Sequence, residues 1–342
     1  MDQNVNPSKI MQVGLGFWAS KTLLAAVDLD LFTLLSNGPK DGPQIRKAIG
    51  LHRRGLYDFL DTLTALGFLQ REGTGELAKY SNAPDVDAFL VKGKPTYVGG
   101  MLSMANHRLY GFWGFLEEAL KTGRPQNEVK HGDKPLFEKI YEDPKRLEEF
   151  LAAMAGIQMG NFMTLAKEFD FSPYKTLCDM GGANGSLSIA VAQENDHMQC
   201  ISFDLPPVEP VATQHIHARG LADRVSSKSG DFFKDQVPSA DVITMGNILH
   251  DWGEEDKLFL LNKAYEALPE NGVFIAIENL IDDERRENAF GLMMSLNMLI
   301  ETPEGSDYTP SDFDAWAKDV GFKRTSFMPL TGPASAAIAY KS

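Results

Sequence analysis

Residues Thr176 to Ser188 read TLCDMGGANGSLS, a short apolar run that breaks into a glycine-rich turn and then opens a helix. Gly181, Gly182 and Gly185 lack a Cβ, so the backbone there can take positive φ values and a ligand can come close to it. Asp204 follows Gly185 by 19 positions, in a second apolar run, CISFDL. That is about the interval at which a doubly wound fold sets the carboxylate that holds a ribose. The turn is D-x-G-G-x-x-G and not the G-x-G-x-x-G of dinucleotide sites. Asp179, just before the glycines, would repel a pyrophosphate and suits a cationic ligand with an amino-acid tail. S-adenosylmethionine, with its sulfonium and ammonium, fits that charge better than NAD. A tight turn without a ligand is the alternative.

Around this turn the chain from residue 175 onward alternates strands with helices. KTLCDM, QCISFDL, RVSSKSGDFF, ADVITMGNIL, GVFIAIENLI and SAAIAYK are the strand candidates, and the alternation calls for a mostly parallel sheet covered on both faces. Ligands in such α/β sheets sit beyond the carboxyl ends of the strands. Gly181, Asp204, Asp231 with Phe232, His250 and Glu278 fall at successive strand ends. Asp231 and Phe232 could bind and cover an adenine, or they could be a helix cap and a core ring. Asp251 and Glu254 read as a capping box for a helix whose apolar face is Leu258, Leu261, Ala264 and Leu268. His250 would then sit at a helix N-terminus, whose positive end favours the neutral imidazole that a general base requires. A lone histidine is more often structural, but this one converges with other strand-end residues. Glu278 closes the neighbouring strand and could orient the imidazole, or it could be a surface carboxylate at the start of a loop. Met293, Met294 and Met298 lie on a helix over Asn288 to Ile300, as core or as pocket lining.

Before residue 175 the pattern is different. Helical apolar spacing over 8–37, a short helix after Gly42-Pro43, a helix from Arg53 to Gly67 and two strand-like pieces around Gly73-Thr74-Gly75 give the order of a winged helix. His52-Arg53-Arg54 invites a DNA-binding reading, but two arginines in a nearly neutral segment make no phosphate-binding stripe, so pairing with a second subunit is expected instead. Residues 97–170 look all-helical, with aromatics and methionines including Trp113, Phe137, Tyr141 and Met154; most of these must be core. The expected domains are a winged-helix dimerisation domain over 1–95, a helical linker over 96–172 that contributes to an acceptor pocket, and an α/β domain over 173–342.

Across 342 residues the net charge is −14, which argues against nucleic acid. No uninterrupted apolar run reaches membrane-spanning length, and the N-terminal residues lack a signal-peptide pattern, so a cytoplasmic protein is expected. Cys178 and Cys200 are the only cysteines and the seven histidines are scattered. No disulfide framework or metal site is expected.

The order winged helix, helical linker, DMGGANG, SFDLPPV, GDFF, ILHDW, ALPENG, IEN resembles the plant caffeic acid and microbial polyketide O-methyltransferases, which use S-adenosylmethionine, over essentially the whole chain. The resemblance implies a Rossmann-like domain, a homodimer and methyl transfer to a hydroxyl of a small, aromatic or polyketide-like acceptor, leaving S-adenosylhomocysteine. The cofactor-binding candidates are Asp179, Gly181, Gly182, Asp204, Leu205, Asp231, Phe232 and Asn247. His250 would be the base, bracketed by Glu278 and Asp307, and Trp113, Met154, Met294, Met298 and Thr302 would meet the acceptor. Plant members carry a lysine where this chain has Gly246 and a glutamate where it has Asp307, one methylene longer, which bears on the acceptor's shape; Thr302, in place of an asparagine common in lignin-pathway members, argues against a caffeate-like substrate. Methylation at carbon or nitrogen, a non-methylating enzyme of the same fold, and a winged-helix regulator are the rival readings.

Overall fold

The computed structural model describes residues 5–94, 96–130 and 143–342; Phe137 and Tyr141 lie outside them. The chain divides into two compact units, Met1–Gly111 and Phe112–Ser342, so the helical stretch read as residues 96–172 contributes to both.

In the first unit, helices Gly42–Ile49 and Leu56–Ala65 precede strands β2 (Leu69–Glu72) and β3 (Lys79–Asn82), with β1 (Lys40–Asp41) pairing on the other edge of β3. Asp41 begins the first of these helices with a reciprocal capping box to Gln44, which satisfies donors that a helix start leaves open. Leu31, Phe32, Ile45, Leu60, Leu63 and Tyr80 close the core. Helices Ser8–Gly14 and Gly16–Asp28 leave Ile10, Val13, Phe17 and Trp18 exposed. By length and composition Ser8–Asp28 could cross a membrane. The sequence reading passed over it because polar residues interrupt the apolar ones.

The second unit is built on seven strands in the order β6-β5-β4-β7-β8-β10-β9. Strands β4 (Thr176–Met180), β5 (Gln199–Asp204), β6 (Val225–Ser229), β7 (Val242–Gly246) and β8 (Val273–Glu278) are parallel, and β10 (Ser335–Tyr340) and β9 (Arg324–Pro329) close the edge antiparallel. Strand β9 was not foreseen. Its residues RTSFMP bury neither face fully, so the alternation that betrays a strand is weak. Successive side chains of the central strands serve opposite faces. Cys178, Phe274 and Ala276 join a core with Leu260, Leu261 and Phe313, while Leu177, Val273, Ile275 and Ile277 join another with Leu187, Val191 and Leu165. The chain runs from β4 outward to β6 and then returns to the far side of β4 for β7. That reversal opens a crevice beyond the carboxyl end of β4.

Candidate active site

At the end of β4 the backbone passes through Gly181 at φ +75°, Ala183 at φ 50° and Gly185 at φ +79°, and Gly185 precedes the helix Ser186–Glu194. The N–H groups of Gly181 and Gly182 both donate to the carbonyl of Phe203, at 2.8 and 3.2 Å, which folds the turn against β5. A Cβ on Gly181 would fall 2.5 Å from Cδ1 of Ile248, and one on Gly182 would collide with Oγ of Ser202 and stand 3.0 Å from the carbonyl of Asp179. Only glycine fits at either position. Asp204 accepts the N–H of Ala183 at 2.8 Å and its neighbour Leu205 N–H at 2.7 Å. Burial raises its pKa to about 6 despite those two bonds. Asp179 accepts the Thr244 hydroxyl at 2.7 Å, and burial, reinforced by Asp204, raises it to about 7. Buried Asp179 and half-buried Asp204 thus flank the Gly181–Gly182 cradle, an environment that a ligand cation would relieve.

Asp231 uses one oxygen to accept the Phe233 N–H at 2.9 Å and the other to meet Lys234 at 2.8 Å. Burial acts to raise its pKa, but Lys234 and that backbone donor outweigh it and hold the carboxylate below its ordinary value. The capping alternative fails, since the bond to Phe233 closes a turn and no helix follows Asp231. Phe232 comes within 3.8 Å of where a Gly181 side chain would begin, and its ring meets Trp252 edge-on at 6.5 Å. Asn247 takes the left-handed φ of 52° and its N–H donates to Ile277 at 3.0 Å. Gly246 lies beneath the ring of Phe162.

The imidazole of His250 is 5% exposed and stands inside a cage of acids. Its Nδ1 is 3.5 Å from Glu278 and 3.3 Å from Asp307, and its Nε2 is 3.6 Å from Asp251. Glu278 is 1% exposed and no surface carboxylate; it also accepts the Leu249 N–H at 3.1 Å. Two expectations are corrected here. Asp251 caps nothing, because Gly253 precedes the helix Glu254–Ala267 without a side-chain cap, and His250 belongs to a separate turn, Leu249–Asp251. Nor is the neutral imidazole favoured in the ligand-free protein. Burial alone would lower its pKa, but Glu278, Asp307 and Asp251 together raise it to about 10. Burial in turn raises Glu278 to about 7 and Asp251 to about 6. The cluster shares its protons.

The O-methyltransferase domain family matches residues 113–323, and the O-methyltransferase dimerisation domain family matches residues 11–92. The chain belongs to the S-adenosylmethionine-dependent O-methyltransferases. It is 38% identical to the tetracenomycin polyketide synthesis 8-O-methyl transferase TcmO of Streptomyces glaucescens, over 98% of this chain and 97% of that one. It is 31% identical to the N,N-dimethyltransferase OxyT of Streptomyces rimosus, over 92% of this chain and 90% of that one. The crystal structure of human N-acetylserotonin methyltransferase in complex with SAM superposes with a TM-score of 0.91 at 28% identity, covering 100% of both chains.

In this methyltransferase the acceptor-side candidates occupy the second unit. Trp113 is half-buried and donates its indole N–H to Asn297 at 2.9 Å. That places it on the helix Ala289–Glu301 beside half-buried Met294 and buried Met298. Met154 is half-buried on the helix Pro144–Glu168. Met293 is 51% exposed. Thr302 is buried, and its hydroxyl is committed locally, donating to Met298 at 2.9 Å and accepting the Gly305 N–H at 2.8 Å. Sequence reasoning missed the part played by two charged residues, one in the methyltransferase's acidic cage and one behind it. One is Asp251, read as a cap. The other is Lys257, which is 1% exposed. Its signal was present: Lys257, Leu261, Ala264 and Leu268 share the buried stripe, whereas Leu258, placed on the apolar face, is only half-buried.

Proposed function

We propose that the chain methylates a hydroxyl of a small aromatic or polyketide-like acceptor, with His250 as the general base. The observation that supports this is the fixing of the imidazole. Glu278 and Asp307 both face Nδ1, which favours the proton on that nitrogen and leaves Nε2 as the basic one. S-adenosylmethionine, when bound, supplies an already activated sulfonium methyl. The residues that would hold it are Asp179 and the Gly181–Gly182 turn at the charged tail, Asp204 with Leu205 at the ribose, and Asp231 with Phe232 at the adenine, bordered by Asn247.

The remaining work belongs to the protein. Alignment of acceptor and donor is worth roughly 7–11 kcal/mol through effective concentration, and a positioned base about 10²- to 10⁴-fold more. As the base the imidazole is neutral with its one proton on Nδ1, facing Glu278 and Asp307, so Nε2 can take the acceptor proton and the two carboxylates then stabilise the imidazolium. Trp113, Met154, Met294 and Met298 would line the acceptor's apolar face, with Thr302 shaping the end of that helix.

Two copies would pair through the first unit. The dimerisation match and the exposed Phe17 and Trp18 support this. The net charge of −14 opposes nucleic-acid binding.

Incubating the enzyme with methyl-labelled S-adenosylmethionine and a panel of phenols, scored by mass spectrometry, tests the reading. An O-methylated product with stoichiometric S-adenosylhomocysteine is expected. Transfer confined to amines, the alternative that the likeness to OxyT favours, would contradict it.

A further inference from the structure

Lys257 lies in the first turn of the helix Glu254–Ala267, 1% exposed. A buried ammonium is costly unless its surroundings compensate it. Its Nζ donates to the carbonyl of Ser306 at 2.9 Å and to the Ser306 hydroxyl at 3.2 Å. It stands 5.7 Å from the ring centre of Tyr308 and 5.5 Å from that of Trp316, where ring faces add cation attraction. Among the described residues it forms no direct ion pair. The acids it feels are those of the cage, Glu278, Asp307 and Asp251, together with Glu254 of its own helix, which the Trp316 indole holds at 3.1 Å. Glu301, from the helix Ala289–Glu301, adds a further negative charge beside Asp251.

The loop that Lys257 grips is the one that delivers Asp307. Gly305 packs so closely on the His250 turn that a Cβ there would lie 2.6 Å from the carbonyl of His250 and 2.7 Å from that of Asp251. Four acids gathered around one imidazole repel one another, and a second cation behind them offsets part of that repulsion. We propose that Lys257 is a positioning residue for His250: its ammonium pins the Gly305–Tyr308 loop through Ser306, which holds Asp307 against Nδ1, and its positive charge favours the carboxylate form of Glu278 behind the imidazole. The acids so held then keep Nδ1 protonated and Nε2 turned to the acceptor. This rests on the reading of His250 as the base.

Infrared titration of the buried carboxyl groups in the full-length enzyme saturated with S-adenosylhomocysteine tests it without turnover, and so separately from that reading. In Lys257→Met and Lys257→Gln the protonated-carboxyl band, assigned with Glu278→Gln, should persist to a pH higher by about half a unit or more. Lys257→Arg, which keeps the charge, should return the midpoint toward wild type. An unmoved midpoint in a folded neutral variant, or an Arg variant that behaves like Met, would overturn the proposal. A second measurement needs no substitution. In ¹⁵N-lysine-labelled wild-type enzyme near pH 7.5 the Lys257 nitrogen should resonate as a protected ammonium, and a neutral amine there would equally overturn it.

Discussion

At the residue scale, the site is a matter of what is missing at two positions and crowded at one. Gly182→Ala would drive a Cβ into Ser202 and toward the Asp179 carbonyl. We expect it to cost about 1–3 kcal/mol of stability and to weaken S-adenosylmethionine binding at least tenfold by calorimetry. The glycines and strand-end acids were legible in the sequence because each is a local signal: a residue type at a fixed offset from an apolar run. Of the acidic cage, Glu278 was legible as a strand-end acid and Asp307 only through the family resemblance, while Asp251 was taken for a cap. Asp251 and Asp307 are 56 positions apart in the chain, and only the packing of Gly305 on the His250 turn brings them to the same imidazole. The expected charge of His250 was reversed for the same reason. A helix end was weighed, and the combined charge of three carboxylates on the ring was not.

At the element scale, the turn after the helix Ala289–Glu301 sets the position of Asp307. Thr302 ties it with two hydrogen bonds, and Thr302→Val would leave the Gly305 N–H without its acceptor. A loss of about 1–3 kcal/mol is expected in chemical denaturation, with turnover falling further than cofactor affinity because the loop carries a cage acid and not the cradle. The strands β4, β5, β7 and β8 were readable as apolar runs, and β6, which is polar and only partly buried, from its place in the strand–helix alternation. Strand β9 was not, because an edge strand half open to solvent has no such run. On the helix Glu254–Ala267 and just after it, Leu261, Ala264 and Leu268 are buried as read, Leu258 is only half-buried, and Lys257 joins the stripe without an apolar signal to mark it.

At the scale of the whole molecule, the buried charges set how stability follows pH. Asp179, Asp204, Asp251 and Glu278 have folded-state pKa values raised to about 7, 6, 6 and 7. The folded chain therefore holds protons that the unfolded chain releases between about pH 4 and pH 7, and stability falls as pH rises through that window. His250, raised to about 10, adds stability that is fully present below its unfolded value of about 6.5 and is lost as pH rises toward 10. Both contributions have the same sign. The ligand-free protein should melt at a higher temperature near pH 5.5 than near pH 7.5 in scanning calorimetry, and Asp179→Asn should flatten that slope. Saturating S-adenosylmethionine should flatten it too, by setting a cation beside Asp179. The most direct test of the account is the turnover of His250→Gln measured alongside its S-adenosylmethionine affinity. A loss of about 10²- to 10⁴-fold in kcat with an unchanged Kd is the predicted result; wild-type kcat in that variant would contradict the assignment of His250 as the base.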